Sequence, residues 1–194
     1  MLADILITIL MIASTFYMSV VLLRFLLQLA RADFYNPISQ FVVKATNPPL
    51  RPLRRIIPGW GGIDGAALVL AILIQAITFF LMLLIYNSGM PSFNPLTLLV
   101  WGTLNVLSLI VKIYFWSVIA VVVVSWIAPQ SGHPAIQLVV QITEPVMRPV
   151  RNIMPSMGGL DLSPIIVFLI LNVLDVVLNH MKIAAGMGFL GAGM

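Results

Sequence analysis

Thr46-Asn47-Pro48-Pro49-Leu50-Arg51-Pro52-Leu53-Arg54-Arg55-Ile56-Ile57-Pro58-Gly59-Trp60-Gly61-Gly62-Ile63-Asp64 decides how this chain is read, because a second version of it stands 97 residues further on. That version is Thr143-Glu144-Pro145-Val146-Met147-Arg148-Pro149-Val150-Arg151-Asn152-Ile153-Met154-Pro155-Ser156-Met157-Gly158-Gly159-Leu160-Asp161, and it aligns without a gap. Ten positions are identical, among them three prolines, two arginines, two glycines and the final aspartate. Pro37 and Pro134 keep the same offset. An internal duplication accounts for this far better than chance.

Long apolar runs flank both versions. The first runs from Ile5 to Leu23. Its nineteen residues, at about 1.5 Å each, reach roughly 29 Å, enough to cross the hydrocarbon layer once as a helix. No basic segment precedes it and no clear Ala-x-Ala site follows, so it reads as a retained span and not as a cleaved signal peptide. Between Gly65 and Val111 there are 47 residues without a charge, too many for one crossing. Asn87-Ser88-Gly89-Met90-Pro91-Ser92-Phe93-Asn94-Pro95 supplies the break. The run that follows continues to Ile127, longer than a bilayer requires, which implies tilt or a projecting end. The last span is announced by Asp161-Leu162-Ser163-Pro164, cap oxygens followed by a first-turn proline.

The expected architecture is an all-α membrane protein with four transmembrane helices, arranged as two parallel helix–amphipathic loop–helix repeats. The first repeat covers 1–97, with spans at about 5–30 and 66–86 around a loop at 31–65; the second covers 98–194, with spans at about 98–127 and 164–181 around a loop at 128–163. Composition agrees: of 194 residues 61% are apolar and 8% charged, too little polar side chain to cover a water-facing globule. The net charge of +4 and pI near 9.9 point to an anionic membrane surface. Nucleic acid is not expected, since the basic residues sit between apolar runs and not in a polar domain with stacking aromatics. The chain has no cysteine, which removes disulfides, thiolate chemistry, Cys-ligated zinc and iron–sulfur clusters.

Basic residues set the expected orientation. Arg31, Lys44, Arg51, Arg54 and Arg55 lie in the first loop, and Arg148 and Arg151 in the third. The positive-inside rule puts these loops in the cytoplasm and both termini in the periplasm, with Lys182 arguing mildly the other way.

Within 49–57, Leu50, Leu53, Ile56 and Ile57 fall on one side of a helical wheel and Arg51, Arg54 and Arg55 on the other. The second copy sets Met147, Val150, Ile153 and Met154 against Arg148 and Arg151. The spacing predicts a short helix with Pro49 and Pro52 in its first turn, ended by Pro58 or Pro155 and lying in the headgroup layer with its apolar side down. Ile38, Phe41, Val42 and Ala45 predict another surface helix upstream. Gly61-Gly62 and Gly158-Gly159 permit a sharp reversal, and Asp64 and Asp161 are placed to cap the next spans. Two readings of the motif stand side by side. One is a structural elbow built from Asn47, Pro48, Pro52, Gly61, Gly62, Asp64, Pro145, Pro149, Gly158, Gly159 and Asp161; the other is a lipid, anion or partner-protein site carried by Arg51, Arg54, Arg55, Arg148 and Arg151.

Lys112 and Asp175 are the ionisable groups deepest in the expected spans, at similar depth from the cytoplasmic ends, and are candidates for an intramembrane pair. The alternatives are that Lys112 snorkels outward or that the pair only fixes helix packing. Asn105, Asn172, Asn179 and Gln75 are candidates for interhelical hydrogen bonds. No catalytic site is expected: His133 falls in a loop and His180 near the opposite end of the last span, and no metal-binding, phosphate-binding or nucleophile motif occurs. No cofactor and no metal are expected. Trp60, Trp101, Trp116 and Trp126 read as interface anchors or packing groups.

With two spans flanking it, the motif resembles the YggT family of bacterial membrane proteins, related to the YlmG proteins of Gram-positive bacteria, cyanobacteria and plastids. Asn47-Pro48, Arg51-Pro52, Arg54 and Gly61-Gly62-x-Asp64 match in the first copy, while Glu144 and Asn152 depart in the second. The resemblance implies a bacterial inner-membrane protein with loose links to osmotic or ion stress, to cell division and nucleoid distribution, and to plastid cytochrome maturation. The leading expectation is a non-enzymatic scaffold or accessory factor whose basic loops engage anionic lipid or a protein partner, with a homo-oligomer as one form of partnership. The runner-up is a small transporter or channel component in osmotic adaptation.

Overall fold

A computed structural model describes residues 1–57, 59, 62–87, 94–128, 131–154 and 161–187. The described residues form six helices: α1 (Leu2–Leu29), α2 (Pro37–Ile56), α3 (Gly65–Asn87), α4 (Pro95–Ile127), α5 (Pro134–Ile153) and α6 (Ser163–Ala184). α1, α3, α4 and α6 are long and apolar enough to cross a bilayer, with mean hydropathy between 1.9 and 2.9. The chain is a multi-pass membrane protein, and the regular elements among its described residues are all helices.

The spans stand in a row. α1 packs on α3, α3 on α4 and α4 on α6; α1 also meets α4, while the backbones of α1 and α6 stay apart. α3 is central, and its Ala67 and Ala71 are fully buried against the same core as Val21, Leu22 and Leu26 of α1. Small residues there let two backbones approach, the main source of helix affinity in lipid. Gly102 does the same between repeats: a Cβ on it would meet the Ile72 carbonyl oxygen at 2.9 Å. Next to it Trp101 sets its ring edge-on to Phe79, centroids 5.8 Å apart, and donates from Nε1 to the Ala185 carbonyl at 2.7 Å.

Each repeat lays one further helix across its own pair of spans: α2 contacts α1 and α3, and α5 contacts α4 and α6 and reaches α1 of the first repeat as well. Both begin with a side-chain cap and a proline. Asn36 accepts from the Ile38 N–H at 2.9 Å before Pro37, and His133 Nδ1 accepts from the Ala135 N–H at 3.2 Å before Pro134. The repeats are clasped where these starts meet: Asn36 Nδ2 donates to the Pro134 carbonyl at 2.8 Å, and the Asp33 N–H donates to Gln141 Oε1 at 3.0 Å.

α2 and α5 correct the sequence-based expectation of two short helices per loop. Each is a single helix of 20 residues, with Pro48, Pro49 and Pro52, or Pro145 and Pro149, in its interior. An interior proline removes one ladder bond and frees the carbonyl four residues back, at a cost of about 3 kcal/mol. In α2 one of the freed acceptors finds a donor on another helix. The Ala45 carbonyl, which Pro49 leaves unpaired, accepts from the Tyr17 hydroxyl of α1 at 3.4 Å. The buried stripe Ser39, Val42, Thr46 and Leu50 is held down on the neighbouring spans. Leu50, expected to face lipid, is wholly buried in the protein core, while Ile56 is 79% exposed.

Candidate functional site

The cytoplasm-facing end expected from the sequence gathers its polar groups around one arginine that the sequence reading passed over. Arg24 lies near the end of α1 and is only 5% exposed. Its Nη1 donates to three oxygens of α2: the Val43 carbonyl at 3.1 Å, Thr46 Oγ1 at 2.8 Å and Asn47 Oδ1 at 2.8 Å. Thr46 Oγ1 in turn donates to the Val42 carbonyl at 2.7 Å. This fixes the α2 backbone just before the first proline pair. Arg24 Nε lies 3.9 Å from Asp64 Oδ2, and Arg54 Nη2 donates to that same oxygen. The other oxygen, Oδ1, accepts from the Ala67 N–H at 3.3 Å and so caps α3. A carboxylate 3% exposed is thus satisfied by two guanidinium groups and a helix terminus, the condition for burying charge without severe desolvation loss. Gly62, with φ of 86°, supplies the left-handed residue of the turn into α3.

The second repeat makes an opened version. Arg151 Nε lies 3.2 Å from Asp161 Oδ2, and its Nη1 lies 3.4 Å from Glu144 Oε1. Asp161 Oδ1 accepts from the Ser163 N–H at 2.9 Å. These side chains are between 45% and 47% exposed, against 3% for Asp64. Val121 stands at the position of Arg24 and Glu144 at that of Asn47, so the inner arginine and its acceptor are both replaced. Burial pushes the Asp161 carboxyl up, but the Ser163 hydrogen bonds and the Arg151 charge outweigh it and hold it below the usual carboxylate value.

The arginines singled out from the sequence therefore divide. Arg54 and Arg151 close the turns onto Asp64 and Asp161. Arg51, Arg55 and Arg148 are exposed and form no ion pair among the described residues. Arg51 and Lys44 line an open concavity of about 420 Å³ on the outer side of α2, together with Asn47, Phe34 and Gln40. The corresponding positions of the second repeat include Gln141 for Lys44 and Glu144 for Asn47, which removes one cation and adds an anion. Pro48, Pro52, Pro145 and Pro149 lie inside α2 and α5. Gly61, Gly158 and Gly159, with Pro58 and Pro155, lie outside the described residues.

Deeper in the lipid, Lys112 and Asp175 line one lateral cavity of about 320 Å³ between α4 and α6, beside Trp116 and Asn172, but no ion pair joins them. Asp175 Oδ2 accepts from Asn179 Nδ2 at 3.1 Å.

Two tandem segments of the chain, 3–85 and 100–181, match the family model CCB3/YggT. The chain belongs to the CCB3/YggT family. The two matches divide this YggT-family chain as the internal duplication does, into tandem repeats. It is 52% identical over 172 residues to an uncharacterized protein of Pseudomonas aeruginosa, covering 88% of this chain and 87% of the relative. It is 42% identical over 153 residues to an uncharacterized protein of Vibrio alginolyticus from the proC 3' region, covering 79% and 82%. It is 38% identical over 175 residues to the protein of Escherichia coli K12 called uncharacterized protein YggT, covering 88% and 87%. No solved structure matches this YggT-family chain.

Two features escaped the sequence reading. Arg24 follows immediately on the apolar run and has no counterpart at the repeat offset, so neither hydropathy nor self-alignment marked it. A search for charges within the last two turns of a span, facing polar residues of the next helix, would find it. Lys44 reads in the sequence only as a charge that sets topology.

Proposed function

We propose that this chain is a non-enzymatic inner-membrane scaffold or accessory protein that holds anionic lipid headgroups on α2, with both surface helices at the cytoplasmic leaflet and both termini in the periplasm. The observation that carries this reading is the concavity beside Lys44, Asn47 and Arg51. Lys44 and Arg51 offer two cations and Asn47 an amide at one spot, while Phe34 gives the wall an apolar flank suited to acyl chain. The rigid seat of α2 on Arg24 keeps that spacing fixed. The distribution of Lys and Arg between loops supports the orientation.

The reading is tested by native mass spectrometry of the protein in nanodiscs containing phosphatidylglycerol. Two cations at about 1 kcal/mol each predict a loss of retained lipid of about thirtyfold in the K44Q/R51Q variant. The equivalent second-repeat change, R148Q, leaves retention within about threefold. Equal retention by wild type and K44Q/R51Q overturns it. A reporter fused after Met194 that reads out in the cytoplasm overturns the orientation.

A second reading, a small transporter or channel component in osmotic or ion adaptation, is favoured by the cavity that holds Lys112 and Asp175. It requires ion flux across liposomes that falls on substitution of either residue.

A further inference from the structure

α3 and α6 occupy equivalent places in the two repeats but differ in company. α3 is flanked by α1 and α4, and its polar residues Gln75 and Thr78 are 4% and 3% exposed. α6 is flanked by α4 and rests on α5, and it ends the row. The residues at the offset of Gln75 and Thr78 are Asn172, which is exposed, and Asp175, which is half-buried. A position polar and covered in one repeat is more polar and uncovered in the other.

The exposed edge carries both signs of charge. Lys112 of α4 and Asp175 of α6 line the same lateral cavity at similar depth, with Lys182 of α6 within electrostatic reach of both, yet no ion pair joins them among the described residues. Asp175 Oδ1 is shut off from the surface and accepts no hydrogen bond among the described residues. Lys112 is exposed on its own helix, about 22 Å from the Ile127 end at 1.5 Å per residue, in the interior of the bilayer. Charges left so in hydrocarbon cost free energy, and paired charges on facing helices offset it. The first repeat has the neutral Thr15 and Thr78 at these positions, so the two charges are a property of the second repeat and not an inheritance of the duplicated unit.

We propose that the α4–α6 face is the interface of a two-fold homodimer, in which Lys112 of each copy pairs with Asp175 of the other across the lateral cavity. Charge complementarity selects a second copy over a lipid. Both copies enter the membrane in one orientation, so a two-fold axis along the membrane normal sets equal depths opposite each other. A face carrying plus and minus at one depth is complementary to itself under that axis, and the contact forms twice. Trp116, 66% exposed beside Lys112, adds an aromatic flank to the cation. The packing at the other junction is not available for this purpose. The close approach of α3 and α4 at Gly102 depends on glycine, and Ile5 stands at the equivalent place on α1. A head-to-tail chain of copies is thereby disfavoured and closure at α4–α6 remains.

The test uses full-length chains carrying two different tags, co-expressed and co-purified in mild detergent. Wild-type copies co-purify. K112D leaves two carboxylates beside Lys182 and D175K leaves three ammonium groups, so each variant paired with itself loses recovery, by about tenfold or more for D175K. K112D mixed with D175K recovers to near the wild-type level, because each supplies what the other lacks. Recovery in the K112D/D175K double variant together with failure of the mixture shows a pair within one chain and overturns the proposal. So does wild-type material that runs as monomer in nanodiscs loaded at two copies each, or single variants that self-associate like wild type. Should either charge reversal fail to reach the membrane, judged by abundance, Asn172→Cys decides: the chain has no native cysteine, so an oxidised dimer in native membranes supports the interface and its absence overturns it.

Discussion

Arg24 and Asp64 are joined inside the protein across a 3.9 Å gap between Nε and Oδ2, and their counterparts in the second repeat, Val121 and Asp161, cannot be. Equivalent substitutions in the two repeats are therefore expected to have unequal effects. Asp64→Leu leaves Arg24 buried without its carboxylate and removes the α3 cap, a loss of about 3–5 kcal/mol. Asp161→Leu breaks a half-exposed pair and one cap bond, a loss of about 1–2 kcal/mol. Unfolding by SDS titration in mixed micelles measures both, and equal losses refute the asymmetry.

Gly102 lies at a close approach between the repeats, with the Ile72 carbonyl 2.9 Å from where a Cβ would stand. Gly102→Val is expected to destabilise by about 1–3 kcal/mol through overpacking, while the same change at Gly132, with nothing within 4 Å, has little effect. Thermal unfolding in detergent distinguishes them.

How far the fold was legible follows from what each signal reports. Hydropathy and the break at Asn87–Pro95 located four spans, because crossing lipid constrains length and composition locally. The duplication was equally legible, being a comparison of the chain with itself. The continuity of α2 through Pro48, Pro49 and Pro52 was not, because local rules price a proline by the bond it removes. They cannot see Tyr17 reaching the Ala45 carbonyl from another helix, or Arg24 gripping Val43, Thr46 and Asn47. At the site, the arginines were visible as residues but not as two populations. Only the folded chain shows that Arg54 and Arg151 meet aspartates ten positions on while Arg51, Arg55 and Arg148 stay outside.

The Tyr17 contact gives a coupling that can be measured. Tyr17→Phe removes the donor to a carbonyl that Pro49 has left free, and is expected to cost about 0.5–1.5 kcal/mol. Once Pro49→Ala restores a backbone N–H, the same Tyr17→Phe change costs less. A double-mutant cycle on unfolding free energy that returns zero coupling contradicts the compensation.

Acid is expected to open the second repeat's clip. The Asp161 carboxyl is held below its ordinary value, so its contribution is present above about pH 4, the unfolded value, and fades as pH falls through the lower folded value. Carboxyl carbon NMR of the labelled protein follows the titration directly. Arg151→Gln should move the midpoint upward; an unmoved midpoint would assign the effect to Ser163 alone.

The replacements of Arg24 by Val121, Lys44 by Gln141 and Asn47 by Glu144 have an effect larger than any one contact. Arg24, Arg31, Lys44, Arg51, Arg54 and Arg55 against Asp33 and Asp64 leave one flank of the molecule with four uncompensated positive charges, whereas Arg148 and Arg151 against Glu144 and Asp161 leave the other with none. Duplication produced twins, and divergence gave them an electrical heading. If the proposed lipid binding holds, a bilayer of mixed lipids is expected to gather acidic species beneath one shoulder only, giving the protein a distinct front and back in the plane of the membrane.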